Sequence, residues 1–141
     1  MKSALLLALR ASTGLLLVIW GSMKLMNPAA GPHLSERYYG GLLSDASIQT
    51  GLAVAEVGLG VLVILGALRF IVYPLQALAL GCGAIAIWRH LADPLGLYLW
   101  TGEAEPTLLF FPSTTVFVAS LIMLAFRRED RLSLDRLLHQ G

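Results

Sequence analysis

The chain has 141 residues, 57% of them hydrophobic and 13% charged, with a formal net charge of +1. A mean hydropathy of +0.74 lies outside the usual soluble range and points to an integral membrane protein. No basic run exists to neutralise phosphates, which argues against a nucleic-acid partner, and a single cysteine, Cys82, excludes an internal disulfide and a CxxC redox pair.

The first apolar stretch, about 4–26, is long enough to cross a ~30 Å hydrocarbon layer as a helix. It is interrupted by Arg10 and runs on past the length of a secretory signal core with no A-x-A site nearby. The reading is therefore a retained first span. Arg10 and Lys24 return to within roughly 40° of each other at about 100° per residue, and Gly14 and Gly21 share their stripe. One side of this helix is small and cationic. Intramembrane charge is expensive and usually faces a protein interior or a hydrated cavity. Arg10, two turns inside the helix, is read as inward-facing, whereas Lys24 can either face inward or snorkel to the headgroups.

Asn27-Pro28 and Gly31-Pro32 end the helix and open a loop of about twenty residues. Within it HLSERYY reads as a short interfacial helix, because tyrosines favour the headgroup region. The second span is expected over about 48–68. Gly51, Ala55 and Gly58 form one small-residue face suited to close helix contact, and Glu56 sits on a second stripe with Ala53 and Gly60. Glu56 lies well inside the apolar run, so it must be paired or protonated. Antiparallel packing brings it within roughly 10 Å of the depth of Lys24. Lys24 or Arg10 is the expected partner.

A very short turn at Arg69 makes the second and third spans tight neighbours. The third span covers about 70–91, with small residues including Gly81 on its faces and Cys82 as a small buried hydrophobe. The following loop and span end carry Arg89, His90, Asp93, Trp100 and Glu103, a candidate polar rim. The fourth span covers about 107–126. The tail that follows places leucines among charges and could form a short amphipathic surface helix. No metal-ligand spacing, nucleophile–base pair or phosphate loop is present.

These elements predict one all-α domain over 1–141, an integral membrane four-helix transmembrane bundle with short loops and a C-terminal amphipathic tail. Lys2, Arg10, Arg69, Arg127, Arg128, Arg131 and Arg136 fall on one side, against Lys24, Arg37 and Arg89 on the other. By that asymmetry both termini are cytoplasmic. Charged interior groups (Arg10, Lys24, Glu56) below an aromatic rim suit an amphiphilic ring such as a quinone. The plainer alternative is that the charges only hold four helices in register. Gly14, Gly21, Gly58, Gly60 and Gly81 are the expected helix-packing positions.

The pattern Arg10-xxx-Gly14-xxxxxx-Gly21-xx-Lys24-Leu25 resembles the DoxX family of small bacterial membrane proteins. So does Glu56-xxx-Gly60-xxxxx-Gly66-xx-Arg69, as does Gly102-Glu103 before a Leu/Phe-rich last span. The stretch Arg131-Leu132-Ser133-Leu134-Asp135 is similar to the family's closing motif, which usually follows Gly-Pro-Gly; here Arg128, Glu129 and Asp130 stand in that place. The resemblance implies a four-helix bundle in the bacterial inner membrane, working in redox-linked systems with other membrane or periplasmic subunits or as a homo-oligomer. It further implies a quinone- or partner-binding subunit with no covalent cofactor. A non-catalytic scaffold that binds another membrane protein is the second class.

Overall fold

The computed structural model describes residues 1–93 and 112–138, the His90 side chain excepted. Among them the secondary structure is entirely helical. The helices are α1 (Lys2–Met26), α2 (Ala30–Tyr38), α3 (Ala46–Leu65), α4 (Arg69–Ala86), α5 (Trp88–Ala92), α6 (Pro112–Ala125) and α7 (Leu134–Leu138). Three of them, α1, α3 and α4, are long and apolar enough to cross a membrane. The expected fourth span, 107–126, begins outside the described residues; its described part, α6, is an apolar helix of 14 residues. The outward faces carry the leucines and isoleucines that lipid would solvate, among them Ile19, Ile71, Leu78 and Ile85.

Helices α1 and α3 form the tightest pair. A Cβ on Gly14 would lie 2.7 Å from the Gly60 carbonyl oxygen, and one on Gly21 would lie 2.6 Å from that of Ala53. The pairs run in opposite directions, so the helices are antiparallel with backbones nearly touching. In lipid, where apolar burial supplies no driving force between helices, such approach is how close packing is gained. Gly81 serves α4 and α6 likewise, since a Cβ there would meet the Phe117 ring at 2.9 Å.

Gly58 does not pack. A Cβ on Gly58 or on Gly51 would meet nothing within 4 Å, and Ala55 between them is exposed. Helix α3 carries two small-residue stripes, and of its two expected packing positions Gly60 meets α1 whereas Gly58 does not. The Gly60 and Ala53 carbonyls face Gly14 and Gly21, so it is that stripe that meets α1.

Gly66 ends α3 with φ +67°, a left-handed conformation that glycine adopts without strain. Its missing side chain also makes room for the Arg10 guanidinium. Val63, Val72, Tyr73 and Met123 form the apolar core beneath this turn. The segment after α6 is not a free surface helix. It folds back under the bundle, with Asp130 and Ser133 sealed from solvent, while Leu132, Leu137 and Leu138 remain exposed.

Candidate functional site

The cationic stripe of α1 has partners at both ends, and they differ. Near one end, Lys24 Nζ donates to Glu56 Oε1 at 2.6 Å, with side chains 16% and 24% exposed. In the register set by Gly14 and Gly21, Glu56 lies about 9 Å deeper along the axis than Lys24. Two facts close that gap. The Lys stem is long, and helical side chains lean toward their own N-terminus, so in antiparallel helices these two lean toward each other. The second carboxylate oxygen, Glu56 Oε2, is buried without a hydrogen-bond partner.

This pair opens on a cavity of about 470 Å³ between α1, α2, α3, α4 and the start of α6. That volume is in the range of small-molecule sites. Leu16, Leu17, Leu52, Leu80 and Ile87 supply apolar wall, and Trp20, Tyr38 and Tyr39 supply rings. The interfacial helix α2 is the cover. A Cβ on its Gly31 would touch the Gln49 side chain. Its Ser35 hydroxyl donates to the Leu42 carbonyl, and Gln49 Nε2 donates to the Leu43 carbonyl at 2.8 Å. Burial, then the Glu56 carboxylate, then Cys82, push the Tyr39 phenol above its ordinary range, so it stays a neutral donor. The cavity thus combines an ammonium, an acidic oxygen with spare acceptor capacity and a neutral phenol within an apolar wall.

No protein-family model, curated protein or solved structure matches this chain. What the site does must be read from its own geometry.

Arg10 is not part of the Glu56 cluster, contrary to the single network expected from the shared stripe. A common azimuth does not give a common depth, and the two cations stand about 21 Å apart along α1. Arg10 Nη1 donates to Asp130 Oδ2 at 2.8 Å, both side chains being nearly sealed, and Nη2 donates to the Leu132 carbonyl at 3.0 Å. The Tyr73 hydroxyl donates to the same Asp130 oxygen at 2.6 Å. Arg69 Nη1 donates to the Asp130 carbonyl at 2.9 Å and to Ser133 Oγ at 3.1 Å. Asp135 completes the cluster by accepting the Leu68 and Arg69 backbone N–H groups at 2.8 and 2.9 Å, capping α4 from a distant stretch of chain. With every ligand drawn from this chain, this end reads as a structural lock.

Of the candidate rim, Arg89 stacks on Trp88 at 5.8 Å from the ring centroid and Asp93 is buried at the end of α5. Neither is among the described walls of the cavity. The His90 side chain, Trp100 and Glu103 lie outside the described residues. Among the described residues no three His, Cys, Asp or Glu side chains come together as a metal site. Cys82, expected to be buried, is exposed on α4. Sequence reasoning missed Tyr39, Ser35 and Gln49 as site residues, although tyrosines at an interfacial helix were a usable signal. It also missed Asp130, whose signal was that Arg10 needed an acid and the tail held acids on its side of the bundle.

Proposed function

We propose that the chain is a four-span membrane subunit that binds a quinone-type amphiphile in the cavity beneath α2. The observation that carries this reading is the Lys24–Glu56 pair opening into a mainly apolar pocket, with Glu56 Oε2 unpartnered. A ring carbonyl would accept from Lys24 or Tyr39, and a ring hydroxyl would donate to Glu56. An apolar substituent would lie along Leu16, Leu17 and Leu80. The resemblance to the DoxX family supports a place in a redox-linked complex of the bacterial inner membrane, and the Lys/Arg asymmetry supports cytoplasmic termini.

Trp20 lines the pocket and supplies the readout, because a bound quinone quenches indole fluorescence. A short-chain quinone should quench saturably, and Trp20→Phe should remove that component. Lys24→Met should weaken binding with the fold intact. Absence of saturable quenching, together with absence of co-extracted quinone in purified protein, would refute the proposal.

A second reading, a scaffold for another membrane helix or a second copy, is favoured by the exposed stripe Gly51, Ala55 and Gly58. A stoichiometric partner lost on Gly58→Leu, with the quinone arm negative, would select it.

A further inference from the structure

At the end of the bundle opposite the cavity, a second hollow of about 430 Å³ is walled by Leu68, Arg69, Phe70, Ile71, Asp135 and Arg136. Its apolar wall faces outward: Leu68, Phe70 and Ile71 are 58%, 57% and 60% exposed. It belongs to the first turn of α4, where a membrane-crossing helix would enter the headgroup layer.

The charge around this hollow is unbalanced. Asp135 is committed to the Leu68 and Arg69 N–H groups, Asp130 to Arg10 and Tyr73, and Glu129 to Lys2 at 2.7 Å. Arg69 Nε lies 3.8 Å from Asp135 Oδ2, which leaves Arg127 and Arg136 in surplus. Arg69 and Arg127 lie 5.7 and 5.5 Å from the Phe70 ring centroid. Each of the three guanidiniums is anchored through another nitrogen, Arg69 to the Asp130 carbonyl, Arg127 to that of Leu124 and Arg136 to that of Arg128. The Nε of each is buried without a hydrogen-bond partner, and that of Arg69 faces the Asp135 carboxylate. Anchored guanidiniums with surplus positive charge beside an exposed apolar wall are complementary to a ligand with an anionic, oxygen-rich head and a hydrocarbon body.

We propose that this hollow binds the phosphate of an anionic phospholipid, with an acyl chain lying on Phe70 and Ile71. A free phosphate would leave that wall unused, and a choline headgroup would place a cation among the arginines.

The test uses the full-length protein purified in a neutral detergent. Added phosphatidylglycerol should raise the thermal midpoint, while phosphatidylcholine and inorganic phosphate should not. The double variant Arg127→Gln/Arg136→Gln should bind phosphatidylglycerol roughly tenfold more weakly or worse, as expected for loss of charge-assisted hydrogen bonds, and keep its midpoint in detergent alone. An equal gain from phosphatidylcholine or from phosphate overturns the proposal, as does an unchanged response in the double variant. Should that variant fail to fold, native mass spectrometry of the unaltered protein decides. With the two lipids offered together, phosphatidylglycerol must be the one retained, and equal occupancy overturns the assignment.

Discussion

Arg10 and Asp130 meet at 2.8 Å with side chains 3% and 2% exposed, although 120 residues separate them in the chain. A buried pair of this kind contributes little over an apolar substitute, yet it penalises any variant that removes one partner alone. Arg10→Met or Asp130→Asn should each cost about 3–5 kcal/mol. The double variant should cost less than their sum, because no stranded charge remains. Unfolding in detergent, monitored by circular dichroism, gives the cycle; additive single costs would mean the pair is not coupled.

The two charged clusters share no partner, so they should be energetically independent. Lys24→Met and Glu56→Gln should each cost about 1–3 kcal/mol, the range for leaving a partly buried polar partner unsatisfied. Combined with Arg10→Met, either should add within roughly 0.5 kcal/mol. A coupling well beyond that would restore the single network expected from the helical stripe.

Glycines on the two stripes of α3 should behave oppositely. Gly60→Leu and Gly14→Leu force a side chain into a facing backbone, at a cost on the order of 1–3 kcal/mol or more. Gly58→Leu meets open space and should leave the thermal midpoint unchanged. Equal effects would show that Gly58 too is in contact.

Removal of the Asp135 carboxylate frees two N–H groups at the start of α4. Asp135→Ala should therefore cost about 0.5–2 kcal/mol, as for loss of an N-cap. The loss should be recovered in part by Asp135→Asn, whose carbonyl can still accept one bond. If Asn is no better than Ala, charge rather than capping is what Asp135 supplies.

Reporter fusions after Lys2 and at Gly141 should both signal the cytoplasmic side, given where the arginines and lysines collect. A periplasmic signal at Gly141 would overturn either the four-span count or its orientation.

Period and composition made the helices legible, and the Gly14/Gly21 stripe pointed to the α1–α3 contact and narrowed the partner of Glu56 to Lys24 or Arg10. Each of these rests on local spacing along one helix. What escaped was decided between elements. Nothing within α3 ranks the Gly51–Gly58 stripe below the Ala53–Gly60 stripe, and the seven-residue spacing of Gly14 and Gly21 fits either; only the way the two helices pack decides. Asp130 was hidden for a similar reason, since in sequence it is one acid among tail charges. Its role exists only once the tail turns back to Arg10. The aromatic lining from α2 was visible as an interfacial helix, but its position over Glu56 depends on the fold of the 39–45 turn.

The return of the tail also imposes an order on synthesis. Arg10 is translated and embedded early, whereas its counter-charge is made only after α6. Until Asp130 emerges, Arg10, Arg69 and Tyr73 have no acceptor from that segment, and the first turn of α4 lacks its Asp135 cap. A ribosome stalled before that point would hold a chain with apolar helices able to enter lipid and an uncompensated cation among them. Completion of the last few turns of chain thus supplies the acceptors that tie α1 and the start of α4 together.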